Sequence, residues 1–73
     1  MFTRQTISDL TEVAQMIVEE IALNMMDGLK AQWIWAGELT DIVAQLRGFY
    51  ADGWDVDTEL LDYCSFVIEA CLD

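Results

Sequence analysis

The chain has 73 residues, of which 14 are acidic, three are basic and none is histidine, giving a formal net charge of −11. This length has room for one domain, and its stability margin is thin because a domain of about 60 residues buries only about 60% of its unfolded surface. The charge disfavours direct binding to nucleic acid or to an anionic membrane surface and favours a basic protein partner. When glycine is counted as apolar and tyrosine is not, 42 of the 73 residues, about 58%, are apolar, against roughly 45–50% in ordinary domains. We therefore expect apolar surface left over for a second copy or a partner.

Neither a transmembrane helix nor a signal peptide is predicted. Acidic residues interrupt every apolar stretch well before about 18 residues, and no apolar segment follows Arg4. Cys64 and Cys71 are separated by about 10.5 Å along a helix, which is too far for a disulfide within the chain. Reduced thiols in the cytoplasm are therefore expected, and an intermolecular disulfide is the alternative.

The first predicted helix covers residues 8–27. Ser8 or Asp9 is the expected N-cap, with Glu12 placed to complete a capping box, and Gly28 is the expected stop. Apolar residues at steps of three and four predict one buried face, formed by Leu10, Val13, Ala14, Ile17, Val18, Ile21, Ala22 and Met25.

The second predicted helix covers residues 31–51 and carries two rows. The first is the expected core stripe, formed by Trp35, Leu39, Ile42, Val43, Leu46 and Phe49. The second, which we call the small-residue row, places Gly37, Thr40, Ala44 and Gly48 in line with Trp33. Because small side chains allow a second helix to approach closely, we expect this helix to be central and packed on two faces. The end of the helix is predicted at Asp52 and Gly53, and Trp54 is expected to fold back over the core.

The third predicted helix covers residues 57–72, with Asp55 or Asp57 as its cap. Its core stripe is expected to contain Leu60, Leu61, Cys64, Val67, Ile68 and Cys71, and a second apolar row contains Tyr63, Phe66 and Ala70. The sequence thus predicts a single all-α domain, a three-helix bundle with up-down-up topology. A homodimer through the small-residue row, or through Tyr63 and Phe66, is one option for the leftover apolar surface.

The sequence shows no catalytic or metal-binding motif. Asp55, Asp57 and Glu59 begin the spacing of a calcium loop, but the glycine and the bidentate acid that must follow are absent. Zinc is not expected in a chain without histidine whose cysteines lack metal spacing. Cys64 and Cys71 lie on an apolar stripe with no histidine base, which is typical of buried structural thiols. We therefore expect neither an enzyme nor a bound cofactor.

Acidic residues form a stripe along the third helix that spans about 27 Å at about 1.5 Å per residue. Like charges at this spacing cost a helix about 0.2–0.5 kcal/mol per pair, so the stripe serves either binding or solubility. The residues predicted to contact a partner are Asp55, Glu59, Asp62, Phe66, Glu69 and Asp73.

From this stripe we predict a non-enzymatic binding protein that inhibits or modulates a basic, nucleic-acid-binding protein by presenting carboxylates where phosphates would lie. In kind, it resembles small inhibitors of phages and other mobile elements that block host nucleases and CRISPR complexes. The alternative is a homo-oligomeric helical adaptor or structural subunit whose acids only confer solubility. Self-association would then use Gly37, Thr40, Ala44, Gly48 and Tyr63.

Overall fold

The computed structural model describes residues 4–28 and 33–72 and contains three helices in these ranges. They are α1 (Arg4–Met26), α2 (Trp33–Ala51) and α3 (Thr58–Leu72). α2 packs extensively against both α1 and α3, which contact each other less. The predicted all-α three-helix bundle with a central second helix is confirmed.

One apolar cluster joins the three helices. The largest side chains that are completely buried come from all of them: Val18 and Ile21 of α1, Leu39 and Leu46 of α2, and Cys64 of α3. The predicted core stripe of α2 is confirmed, since four of its six residues are buried and the other two, Trp35 and Ile42, pack against the cluster partly buried. The stripe of α3 is confirmed in the same way, with Ile68 and Cys71 at its margin. The predicted buried face of the first helix is wrong at its two edges, since Val13 and Met25 are exposed.

The predicted start of the first helix at residue 8 is wrong, because α1 already begins at Arg4. Asp9 is not a cap: its Oδ1 accepts a hydrogen bond of 2.8 Å from Nε2 of Gln5, one helical turn earlier. The hydroxyl of Thr11 donates to the carbonyl of Ile7 at 2.8 Å, again across one turn. Ile7 is only 7% exposed, so burying it extends the core stripe by a turn and favours helix beyond the apparent capping box.

The predicted glycine stops are confirmed. Gly28 and Gly53 have φ angles of 79° and 94°, a region that glycine enters without steric cost. After α2, the amide of Gly53 donates to the carbonyl of Tyr50 at 3.1 Å and that of Trp54 donates to the carbonyl of Phe49 at 3.0 Å. These two bonds form a Schellman motif, which satisfies the last carbonyls of the helix and turns the chain towards α3.

Of the two candidates for the cap of α3, the structure selects Asp57. Its Oδ1 accepts a hydrogen bond of 3.2 Å from the amide of Leu60, which is the N-cap to N3 geometry. The helix accordingly starts at Thr58, one residue after the predicted boundary. The predicted start of the second helix at residue 31 lies outside the described residues.

The small-residue row does not form a second packing face within the chain. Gly37, Thr40, Ala44 and Gly48 are all exposed, and a Cβ added at either glycine would meet no atom within 4 Å. α2 instead contacts both α1 and α3 through the single cluster that contains its core stripe, which corrects our expectation that the small-residue row is its second packing face. The side chain of Trp33 lies outside what the structure describes.

Candidate interaction surface

The outward side of α3 carries most of the predicted acidic stripe. Glu59, Asp62, Phe66 and Glu69 are all exposed, and their steps of three, four and three residues place them on one side of the helix. We call these four residues the acidic face. They extend over about 15 Å at about 1.5 Å per residue. Asp55 is exposed in the loop before the helix, and Asp73 lies outside the described residues.

Phe66 gives the acidic face an apolar centre. It is 68% exposed, and as the residue four after Asp62 and three before Glu69 it neighbours both on the helix surface. Tyr63, three residues earlier, is 46% exposed. Aromatic side chains left in water next to charged ones are typical of protein recognition surfaces, where they supply buried area when a partner binds.

The inward side of α3 contains the two thiols. Cys64 is fully buried, Cys71 is half-buried, and both are free cysteines. Burial raises the pKa of the Cys64 thiol above its ordinary value of 9.0, and a backbone hydrogen bond opposes this only in part. Burial also raises the pKa of Cys71. A raised pKa disfavours the thiolate that nucleophilic chemistry needs, so these side chains act as apolar core.

A groove between α2 and α3, with a volume of about 320 Å³, brings two predicted surfaces together. It contains Thr40 and Ala44 of the small-residue row and Glu69 of the acidic face. Across it, Nη2 of Arg47 donates a hydrogen bond of 2.6 Å to Oγ of Ser65. Of the predicted self-association set, the described lining includes Thr40 and Ala44 and does not include Gly37, Gly48 or Tyr63, so the groove brings together only part of that set.

A larger groove of about 960 Å³ lies at the end of the bundle where α1 and α3 begin. Its walls come from the first half of α1 and from the loop before α3, and sequence reasoning did not find it. Trp54 lies in this wall and is half-buried. The predicted return of Trp54 to the core is confirmed, since its ring meets that of Phe49 edge to face, with centroids 6.4 Å apart and planes at 83°. The described residues that line it are Arg4, Ile7, Ser8, Thr11, Glu12, Gln15, Gly53, Trp54, Asp55 and Asp57.

Within residues 4–28 and 33–72, no group of three or more acidic, cysteine or histidine side chains is arranged to hold a metal ion. Over the same ranges, none of the helices combines the length and the apolar character needed to cross a membrane. Comparison with protein-family models, with curated proteins and with solved structures finds no significant match to this chain.

Proposed function

We propose that this protein is a non-enzymatic binding protein that inhibits or modulates a basic, nucleic-acid-binding protein. The acidic face of α3 would occupy the surface on which the partner binds phosphates. One observation carries the proposal: Phe66, 68% exposed, neighbours two exposed carboxylates, those of Asp62 and Glu69, on the outward side of a helix. This is the pairing of charge with an apolar anchor that a protein partner recognises and that solubility alone does not require.

The density of charge explains why an anchor is needed. One strand of duplex DNA carries a charge about every 3.4 Å of axis, whereas the acidic face has three carboxylates, Glu59, Asp62 and Glu69, along about 15 Å of helix. Electrostatic attraction would steer the encounter and select a basic partner. The buried area of Phe66 would then supply affinity that the sparser carboxylates lack.

The cost of the arrangement also supports a binding role. Glu69 lies in the last turns of α3, which contains no basic residue, and a negative charge near a helix C-terminus is unfavourable by about 0.3–1 kcal/mol. A lysine there would stabilise the helix and leave the chain strongly acidic. Selection for solubility and stability therefore gives no reason for a carboxylate at this position, and recognition does.

The test is affinity capture with matched variants. The bait is the full chain, as wild type, as the double variant Asp62→Lys with Glu69→Lys, or as the control Glu38→Lys with Asp41→Lys. The control makes the same change of charge at two exposed positions of α2. We expect wild type and control to retain a basic nucleic-acid-binding protein from cell lysate at physiological salt, and added duplex DNA or RNA to release it.

The α3 double variant should lose this protein. Equal retention by all three baits, or retention that nucleic acid does not reduce, would contradict the proposal.

A homo-oligomeric adaptor is the second candidate, and the exposed small-residue row favours it. In that case Ala44→Trp would obstruct the interface and dissociate the oligomer, whereas the α3 double variant would have no effect. Light scattering of the wild-type protein and of Ala44→Trp distinguishes the two candidates. A wild-type mass equal to that of one chain excludes the adaptor.

A further inference from the structure

The larger groove, at the start of α1 and α3, has the size of a binding site. Its volume of about 960 Å³ is at the upper end of the roughly 300–1,000 Å³ of ligand sites in proteins. It is open to solvent, which suits a segment of another protein chain better than an enclosed small molecule. No residue of the acidic face lines it, so it is a separate surface.

The charge of the groove selects the kind of segment. Among the described residues, three carboxylates, those of Glu12, Asp55 and Asp57, line it together with one base, Arg4. All three carboxylates are exposed, and Asp57 already accepts the amide of Leu60 with one oxygen. A net negative wall attracts arginine or lysine.

Trp54 adds an aromatic surface to these charges. The Schellman motif fixes its backbone, and its half-buried ring lies edge to face against Phe49, so part of the ordering that a ligand requires is already present. Among aromatic side chains, tryptophan attracts a guanidinium or ammonium group most strongly. A fixed indole and carboxylates in one groove are the parts of a site for a cationic side chain.

We propose that this groove binds an extended segment of the partner through an arginine or lysine side chain placed against Trp54, between Glu12 and Asp55. The inference rests on the proposed function, because it takes the occupant to be part of the same basic protein. The groove ends at Asp57, the cap of α3, and the acidic face begins two residues later at Glu59, so one basic protein could contact both surfaces. A second copy of this chain is disfavoured as occupant, since it has three basic residues and a net charge of −11.

The test is an NMR titration of the full chain, labelled with ¹⁵N, with the tripeptide acetyl-Arg-Arg-Arg-amide at physiological salt. The indole signal of Trp54 is assigned by its loss in Trp54→Phe. We expect saturable shifts of this signal and of the amides of Glu12 and Asp55. The neutral tripeptide acetyl-Gln-Gln-Gln-amide should cause none.

Two neutralising double variants locate the site. Glu12→Gln with Asp55→Asn should weaken binding of the arginine tripeptide by roughly fivefold, in line with the loss of two exposed ion-pair contacts. Glu38→Gln with Asp41→Asn removes the same charge from α2 and should leave the affinity unchanged. Shifts that do not saturate, or an equal loss in both variants, would overturn the inference.

Failure of this inference can be told apart from failure of the proposed function. If the tripeptide does not bind in the groove while capture of the partner still depends on Asp62 and Glu69, the groove assignment is wrong and the proposed function stands. If the tripeptide binds in the groove while capture ignores Asp62 and Glu69, the ligand class of the groove is supported and the acidic face is not the partner site.

Discussion

The fifteen residues of α3 divide into an inward and an outward side that have opposite roles. The inward side contains Leu61 and Cys64, buried against the other helices, whereas the outward side leaves Phe66 68% exposed between exposed acids. Inward residues stabilise the fold, whereas outward residues contribute little to stability or reduce it. The comparison teaches that stability and recognition can be changed separately in this helix, which makes both testable.

The largest effect is expected from the inward side. Leu61 is 4% exposed, and Leu61→Ala should lower the free energy of unfolding by about 2–5 kcal/mol, because it removes buried methyl groups and leaves a cavity. Denaturant unfolding measures the loss. Phe66→Ala is the outward control and should change stability by less than about 0.5 kcal/mol. A comparable loss for both variants would mean that the two sides of the helix are not distinct.

The reversed charges of Asp62→Lys with Glu69→Lys are expected to affect binding and spare the fold. Placing like charges against a basic partner costs several kcal/mol, so affinity for the captured protein should fall by at least about tenfold. The free energy of unfolding should stay equal or rise slightly, since a lysine near the C-terminus of α3 suits the helix dipole. Calorimetry of binding and denaturant unfolding measure the two quantities, and a loss of both together would break the separation.

The start of α3 provides a smaller test. Asp57→Ala removes the side chain that accepts the amide of Leu60 and should cost about 1 kcal/mol of stability. Asp55→Ala is the matched control, two residues earlier, and should cost almost nothing. If both substitutions destabilise the chain equally, the acids act through the helix dipole in general and Asp57 is not a specific cap.

The outward side of α2 offers a stabilising substitution. Gly48 lies inside a helix and a Cβ there would meet no atom within 4 Å, so Gly48→Ala should raise the free energy of unfolding by about 0.5–1 kcal/mol. Thermal unfolding at several protein concentrations measures the gain. A loss of stability relative to wild type that is largest at high protein concentration and shrinks on dilution would instead show that the small-residue row is packed against a second copy.

The buried thiol gives the least pronounced effect, a dependence on alkaline pH. Since burial raises the pKa of Cys64 above 9.0, the folded state retains a proton that the unfolded state releases. The contribution of this thiol to the free energy of unfolding is complete below about pH 9 and is lost as pH rises through its folded-state pKa. Unfolding measured from pH 8 upwards should therefore show a steeper decline for wild type than for Cys64→Ala. Identical slopes would show that burial does not affect this group.

Much of the fold follows from periodicity and from local backbone chemistry. The stripes of α2 and α3 were predictable because apolar side chains at 3.6-residue spacing have one low-energy arrangement, and both glycine stops follow from φ angles that other residues avoid. The start of α1 was not predictable, since Ser8, Asp9 and Glu12 imitate a cap. The burial of Ile7 in the tertiary structure favours the additional helical turn before them.

The candidate sites were predictable to a lesser degree. The acidic face depends on one helix and is therefore visible in the sequence. The groove is not visible there, because Glu12 and Asp55 come to line one groove only in the folded chain, where the first half of α1 and the loop before α3 form its walls. The row with Gly37 and Gly48 could face either a helix or solvent, and no local rule decides between them.

The most direct test of the acidic face as the partner site is the salt dependence of binding between the captured protein and three versions of the chain. Screening weakens exposed charge contacts as ionic strength rises. We predict that wild type and Glu38→Lys with Asp41→Lys lose affinity steeply and in parallel between low and physiological salt, and that Asp62→Lys with Glu69→Lys binds more weakly with a shallower slope. The same affinity and the same salt dependence for all three versions would show that the carboxylates of α3 do not contact the partner.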